Sequence, residues 1–231
     1  MRIMVINPNT TTSFTDTIQK SCERYISAGT ELIVTNPSKG VASIEGSSDG
    51  IKAAYHLVEL IEANEGQGID GYVVACFDDT GLQAAREVTS APVVGIGEAS
   101  LHMASLISAR YSVVTTLQRS VSILQDNAST YGLDKRCQGI HAVNLPVLAL
   151  EDKALAFEAM LKRSKEILEQ DKSECIILGC GGMSGMSEPL SEALGVPVID
   201  GTAAGIKLIE ALVGMKLQTS KACTYAYPNK K

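Results

Sequence analysis

Short apolar runs alternate along this chain with longer segments in which apolar positions recur at helical spacing. The runs are rich in Val and Ile and hold almost no charge, which is typical of strands buried on both faces of a parallel sheet. Strands are predicted at residues 3–6, 31–35, 71–75, 92–95, 111–115, 137–143 and 175–178. Helices are predicted at residues 10–27, 51–63, 82–88, 98–108, 120–131, 155–169 and 203–213. This alternation predicts an α/β fold with parallel strands.

The second half of the chain repeats the order of the first. The stretch VPVIDG at residues 196–201 resembles APVVGI at residues 91–96, 105 positions earlier, and Cys180 repeats Cys76 at an offset of 104. We therefore predict two similar parallel-sheet α/β lobes, as a duplication would produce, with the active site between them. Lobe one would take residues 1–97 plus 205–231, and lobe two residues 98–204.

Composition and charge exclude several functions. The 231 residues carry a net charge of -6, which argues against a protein that binds nucleic-acid backbones, and aromatic residues make up only 4%. Three His argue against a His-rich metal site. No apolar run reaches the roughly 18 residues that a membrane span needs, and no signal peptide precedes the first strand. We expect a cytoplasmic protein with reduced cysteines and with no nucleic-acid or membrane partner.

Two of the six cysteines are distinguished by their position. Cys76 follows the strand at residues 71–75, and Cys180 follows the strand at residues 175–178 after one glycine. Ligands of parallel α/β sheets bind beyond the carboxyl ends of the strands. Free backbone amides and a helix dipole in such turns would favour thiolates. We interpret the other four as small buried side chains: Cys22, Cys137, Cys175 and Cys223.

A facing pair of thiols suits the inversion of a carbon stereocentre. One group removes a proton from one face, the other returns a proton to the opposite face, and the roles exchange in the reverse direction. The backbone amides of Gly181 and Gly182 could stabilise the enolate intermediate. This chemistry needs neither a metal nor another cofactor, so we predict none. A Cys-His hydrolase or a disulfide oxidoreductase fits less well, because the histidines lie mid-segment and no Cys-x-x-Cys occurs.

Polar residues in neighbouring loops are candidates for ligand contacts. Asn9 and Ser43 follow the first two strands, where they could hold a ligand or serve as capping and turn residues. Asp78 and Asp79 could cap a helix, or one of them could orient the ligand or tune Cys76. No Arg or Lys occurs in these loops, which favours a neutral ring over a dicarboxylic amino acid as the substrate.

Seven motifs together resemble one known family. They are INPNT at residues 6–10, ASIEG at 42–46, ACFDDTGL at 75–82, GIGEA at 95–99, SVVTT at 112–116, VLALE at 147–151 and GCGGM at 179–183. The chain resembles the hydantoin/allantoin racemases of the aspartate/glutamate racemase superfamily over nearly its whole length. The resemblance implies two lobes, a catalytic pair formed by Cys76 and Cys180, and cofactor-independent racemisation at C5 of a five-membered ureide ring.

The same resemblance implies further contacts and partners. The residues expected to contact the ring are Asn9, Ser43, Ile44, Phe77, Thr115, Thr116, Gly181 and Gly182. The expected partner is a small-molecule ureide, and the resemblance suggests a homo-oligomer. The sequence leaves open the choice between hydantoin and allantoin, the C5 substituent, and which cysteine acts on which enantiomer. The alternatives are another superfamily chemistry (amino-acid racemase, maleate isomerase or decarboxylase) and a non-catalytic metabolite-binding protein.

Overall fold

The computed structural model describes residues 1–229 and contains alternating strands and helices in that range. The strands are β1 Arg2–Ile6, β2 Glu31–Thr35, β3 Gly71–Val74, β4 Val93–Gly95, β5 Tyr111–Thr115, β6 Cys137–Ala142, β7 Cys175–Leu178 and β8 Val198–Asp200. The α-helices are α1 Thr12–Tyr25, α2 Ser47–Asn64, α3 Leu82–Val88, α4 Ile96–Ile107, α5 Val121–Thr130, α6 Lys153–Asp171, α7 Ser187–Leu194 and α8 Gly201–Gly214. Among these residues, no helix is both long enough and apolar enough to cross a membrane.

The strands form two four-stranded sheets of the same order. The first sheet runs β2-β1-β3-β4 and the second runs β6-β5-β7-β8, and every pairing is parallel. The central strands β3 and β7 are buried along their whole length, because helices cover both faces of each sheet. The prediction of an α/β fold with two similar parallel-sheet lobes is therefore confirmed.

Helices α4 and α8 join the two lobes. Helix α4 follows β4 of the first sheet but packs on β7 and β8, whereas α8 follows β8 of the second sheet and packs on β3. The fit is close, because a Cβ on Gly205 of α8 would lie 2.8 Å from a methyl of Val73 in β3. One apolar cluster runs continuously through both lobes as a result. The division of the chain at residues 97/98 and 204/205 stays a prediction.

Several helices differ from the prediction, and α2 and α4 begin earlier than predicted, at Ser47 and Ile96. Helix α7 was not predicted, since it has eight residues and a proline near its start. Helix α1 begins at Thr12, with Thr11 as the N-cap residue, and not at Thr10. The Asn9 side chain accepts the Thr11 N–H at 2.9 Å and so forms a turn before the helix.

The segment after α8 returns to the first sheet. Thr219 N–H donates to the Ser90 carbonyl at 3.0 Å. The Lys221 ammonium donates to the Arg86 carbonyl at 2.6 Å. Through these contacts, the segment after α8 packs against α3 and the residues that follow it.

Candidate active site

Cys76 and Cys180 are positioned in the same way at the ends of the central strands. Beyond β3, Ala75 N–H donates to the Ile6 carbonyl at 2.8 Å, and Cys76 comes next. Beyond β7, Gly179 N–H donates to the Val114 carbonyl at 2.8 Å, and Cys180 comes next. Each cysteine therefore leaves its sheet one residue after the last ladder hydrogen bond, where parallel sheets bind ligands.

Both cysteines line one pocket between the two sheets. The pocket encloses ≈ 490 Å³, a volume that includes its open mouth. The two lobes meet closely at its floor, because a Cβ on Gly181 would lie 2.6 Å from the Ala75 carbonyl oxygen. The remaining lining residues come from several loops: Asn7, Asn9, Phe14, Ile18, Ile44, Phe77, Asp78, Thr115, Thr116, Ser120, Val147, Gly179 and Gly182.

Seven of the eight residues expected to contact a ligand line this pocket, and Ser43 does not. Ser43 lies in the loop before Ile44, which does line it. The hydroxyl of Thr115 already donates to the Gly179 carbonyl at 3.1 Å, so it braces the turn that leads to Cys180. The Asn9 side chain takes part in the turn before α1 while it lines the pocket.

Two loops from different lobes meet at the mouth. The carboxylate of Glu45 accepts the Val147 N–H at 3.0 Å. The adjacent Ile44 and Val147 itself contribute apolar side chains to the pocket wall. This contact joins two loops that contribute to the pocket wall.

Cys76 is held protonated by its surroundings. Burial is the main cause of a strongly raised pKa for this thiol, and the negative charge of Asp78 raises it further. The Thr80 hydroxyl donates to the Cys76 sulfur at 3.5 Å and opposes this rise. The expectation that this turn favours a thiolate is wrong here, because burial outweighs this hydrogen bond.

Cys180 lies in a more favourable environment for a thiolate. Burial raises its pKa to about 11, and the charge of Asp78 acts in the same direction. The backbone N–H of Gly182 and the positive charge of Lys153 both lower the pKa of this thiol. Burial still outweighs both, so the expected preference for the thiolate is wrong here too.

Lys153 was missed from the sequence. Its ammonium donates to the Gly182 carbonyl at 3.2 Å, which brings a positive charge beside the turn of Cys180. The pocket loops themselves contain no Lys or Arg, but this does not exclude a positive charge that reaches the site from a helix. Lys153 is the first residue of α6 and lies 27 positions from Cys180 along the chain, so only the packing of α6 brings it close.

The two acids after Cys76 have different roles. The Asp79 carboxylate accepts the N–H groups of Gly97 at 2.9 Å and Glu98 at 2.7 Å, and the Tyr131 hydroxyl at 2.7 Å. It therefore caps α4, the helix that joins the lobes, as one of the alternatives foresaw. Asp78 lines the pocket instead, and burial raises its pKa to about 6.

The pocket also contains Asn7, which was not among the eight residues expected to contact the ring. It is 1% exposed, and its side-chain amide donates to Asn9 Oδ1 and to Thr15 Oγ1, both at 3.0 Å. Its place directly after β1, at the carboxyl edge of the sheet, was the signal available in the sequence.

The remaining cysteines and the histidines lie elsewhere. All six cysteines are free, and Cys22 and Cys175 are buried as predicted. The interpretation as buried side chains is wrong for Cys223, which is exposed, and Cys137 is only partly buried. None of the three histidines lines the pocket. Within residues 1–229, no three His, Cys, Asp or Glu side chains converge in a way that could hold a metal ion.

This arrangement defines an α/β protein with paired thiols in a pocket between two lobes. Residues 3–209 match the family described as Asp/Glu/Hydantoin racemase. A hydantoin racemase of Rhizobium meliloti is 46% identical, over 99% of this chain and 95% of the relative. The allantoin racemase structure from Klebsiella pneumoniae superposes with a TM-score of 0.98 at 46% identity, covering 100% of this chain and 95% of the other.

A second allantoin racemase structure, from Pseudomonas fluorescens, superposes with a TM-score of 0.96 at 39% identity and covers 100% of this chain and 98% of the other. The chain belongs to the Asp/Glu/hydantoin racemase family. The resemblance inferred from the seven motifs is thereby confirmed.

Proposed function

We propose that this protein is an isomerase that racemises 5-substituted hydantoins or the related ureide allantoin at C5. The observation that carries the proposal is the pair Cys76 and Cys180, which end equivalent strands of the two lobes and line one pocket. The full-length similarity to hydantoin and allantoin racemases supports the same reaction.

The proposed reaction uses one thiol as base and the other as acid. A thiolate on one side takes the C5 proton, and the electron pair of the C–H bond moves toward the adjacent ring carbonyl to give an enolate. The opposite thiol then donates its proton to the other face of C5. The product leaves with inverted configuration and the two sulfurs have exchanged protonation states, so the same site works in reverse.

The lobe-two turn supports this chemistry with backbone groups. The backbone N–H of Gly182 lowers the pKa of the Cys180 thiol, so it favours the thiolate form of that residue. The amide of Gly181 is then the group we assign to the developing enolate oxygen. Glycine is required at this point, since a Cβ on Gly181 would collide with the Ala75 carbonyl at 2.6 Å.

The charge of the pocket favours a neutral ring as substrate. Of its lining residues, Asp78 is the single one with a charged side chain, and it is acidic. A dicarboxylic amino acid would meet this carboxylate, whereas a ureide ring offers it N–H groups. The same argument disfavours an aspartate or glutamate racemase, and the paired thiols disfavour a decarboxylase, which needs one.

The proposal is tested by following optical rotation of L- and D-5-benzylhydantoin and of both allantoin enantiomers. The expected result is decay to zero rotation in D₂O, with deuterium appearing at C5. The double variant Cys76→Ser/Cys180→Ser is the control and should leave the rotation unchanged. No loss of rotation with any of these compounds would contradict the proposal, and the side-by-side rates identify the preferred substrate.

The family resemblance further predicts a homo-oligomer, and the free cysteines support the expected cytoplasmic location. Light scattering coupled to size-exclusion chromatography tests the first expectation. A monomeric mass at micromolar concentration would contradict it.

A further inference from the structure

Asp78 is the charged side chain among the residues that line the pocket, and the proposed acid–base reaction gives it no role. No side-chain or backbone donor within residues 1–229 forms a hydrogen bond with its carboxylate, whereas the adjacent Asp79 accepts three. Asp78 is fixed through its backbone instead, since its carbonyl accepts the Asn127 amide at 2.9 Å. The Asp78 side chain is half-buried and lines the pocket, so its carboxylate is accessible from the pocket. A ligand that fills the pocket can therefore supply the hydrogen-bond donor that the described residues do not.

The surroundings of Asp78 show that its charge opposes the thiolates. Its negative charge raises the pKa of Cys76 and of Cys180. Two further charges face the Cys180 side, the Glu45 carboxylate and the Lys153 ammonium, and they act in opposite directions. A group that hinders both thiolates does not serve as part of the acid–base pair, so its use lies in binding.

The chemistry of the Asp78 carboxylate limits which ligands it can bind. A carboxylate accepts hydrogen bonds and repels other anions, so its ligand must offer N–H or O–H donors without negative charge. A hydantoin ring carries an N–H on each side of its C2 carbonyl, and either can reach a single carboxylate. Accepting a donor would also disperse the negative charge of Asp78 and so reduce its effect on both thiols.

We propose that Asp78 is the acceptor for a ring N–H of the substrate and thereby selects ureides with a free ring nitrogen. This inference rests on the proposed function, and it assigns Asp78 a specificity role distinct from the catalytic roles of Cys76 and Cys180. Asp78 also positions the ring between the thiols, because the ring is held by its nitrogen while C5 remains free to react.

The test compares substrates that differ by one methyl group. Racemisation of 5-benzylhydantoin is measured beside its 1-methyl and 3-methyl derivatives for the wild type, Asp78→Asn and Asp78→Leu. Leu keeps roughly the shape of the side chain but accepts no hydrogen bond, and Asn keeps one acceptor without the charge. Asp16→Asn on the exposed face of α1 is the control for removal of one acidic residue.

The wild type and Asp16→Asn should prefer the unmethylated ring over one of the methylated rings by roughly 10- to 100-fold in kcat/KM, the usual effect of one hydrogen bond to a charged group. Asp78→Leu should reduce this preference to less than about threefold, with Asp78→Asn between the two. The same preference in the wild type and in Asp78→Leu would overturn the role of Asp78 while leaving the racemase activity intact. No turnover of any hydantoin or allantoin by the wild type would overturn both.

A second readout does not depend on substrate turnover. Without the charge at position 78, the pKa of both thiols should fall, and iodoacetamide should label Cys76 and Cys180 faster at pH 8. Peptide mass spectrometry resolves the two sites, and exposed Cys223 serves as the internal reference. Unchanged labelling of both thiols in Asp78→Asn would show that the carboxylate does not face them and would overturn the proposal.

Discussion

The turns that follow β3 and β7 hold the same reactive group in different surroundings. In lobe one, the cysteine is followed after two positions by Asp78, and in lobe two by Gly182. A side chain at Gly182 would require Leu150 to move, because a Cβ there would lie 2.9 Å from a methyl of Leu150. Lobe two therefore presents bare backbone to the pocket, and lobe one presents a carboxylate.

Because of this difference, the two cysteines do not lose their protons equally easily, as they would in a fully symmetric pair. The lobe-two turn supplies the Gly182 N–H to the Cys180 sulfur and has the Lys153 charge nearby, so Cys180 is the thiol more easily ionised. For Cys76, only the Thr80 hydroxyl and the Asp78 backbone amide lower the pKa of the thiol, and burial outweighs them. The fold supplies two equivalent sulfur positions, and the turn residues decide how readily each sulfur loses its proton.

The helix caps that join the lobes differ in a related way. Helix α8 is capped by Asp200 at the end of its own strand, where it accepts the Thr202 N–H at 2.9 Å. The corresponding residue before α4 is Gly95, and Asp79 from the neighbouring turn takes over the capping. A side chain at Gly95 is excluded, because a Cβ there would lie 2.0 Å from the Asp79 carboxylate. The cap of α4 is thus tied to the turn that carries Cys76.

The largest expected effect comes from removing the sulfur of Cys76 or of Cys180, because the comparison of the two turns assigns each sulfur a role in the reaction. Cys76→Ser and Cys180→Ser should each lower kcat/KM for racemisation by about 10²- to 10⁴-fold, the usual contribution of a general acid or base. Cys223→Ser, which changes an exposed cysteine, should leave kcat/KM unchanged. If one of the two single variants retained more than about a tenth of the wild-type rate, the paired roles would be contradicted.

A methyl group on the lobe-two turn should disturb the spacing between the sulfurs. Gly181→Ala places a Cβ within 2.6 Å of the Ala75 carbonyl, so the two turns must separate. We expect kcat/KM to fall roughly 100-fold, since small displacements of catalytic groups have effects of this size. Gly50→Ala in α2 meets no atom within 4 Å and serves as the control. Wild-type activity in Gly181→Ala would show that the close contact of the lobes is not needed.

Loss of the shared cap should affect stability more than chemistry. Asp79→Ala leaves the N–H groups of Gly97 and Glu98 without their acceptor, and we expect it to lower the free energy of unfolding by about 1–3 kcal/mol. A melting temperature about 2–4 °C lower per kcal/mol would report this in a domain of this size. Tyr131→Phe removes one donor to the same carboxylate and should have a smaller effect. Equal melting temperatures for the wild type and Asp79→Ala would contradict the capping role.

The smallest expected effect concerns Lys153. Because its positive charge lowers the pKa of Cys180, Lys153→Met should raise that pKa and slow iodoacetamide labelling of Cys180 by roughly two- to fivefold at low salt. Labelling should rise about tenfold per pH unit below the pKa of about 11, since the thiolate is the reactive form. Cys76 labelling should not change, and Lys20→Met is the charge control. An equal slowing of both thiols would contradict the asymmetry between the two turns.

The sequence was informative where local pattern decides the structure. The Val- and Ile-rich runs predicted the strands, and their repeat at an offset of about 105 predicted two similar lobes, each with a cysteine at the end of a strand. The pattern could not reveal Lys153 beside Gly182, because that contact depends on how α6 packs after a long loop. The pattern could not show either that Asp78 lines the pocket while Asp79 caps α4. The two acids are neighbours in the chain, and only the direction that the turn gives each side chain distinguishes them.

The protonation state of the two thiols was predicted wrongly from the sequence. A turn at a strand end suggested thiolates, but the inter-lobe packing that brings the sulfurs together also buries them. Burial is a property of both lobes at once, so no segment of one lobe predicts it.

The central claim is that each sulfur serves one face of C5, and exchange in D₂O by the single variants tests it most directly. Cys76→Ser and Cys180→Ser are each incubated with pure L- and pure D-5-benzylhydantoin, and deuterium at C5 is followed by NMR before any rotation is lost. We expect each variant to exchange the C5 proton of one enantiomer without racemising it, and the two variants to act on opposite enantiomers. Exchange of the same enantiomer by both variants would contradict the claim.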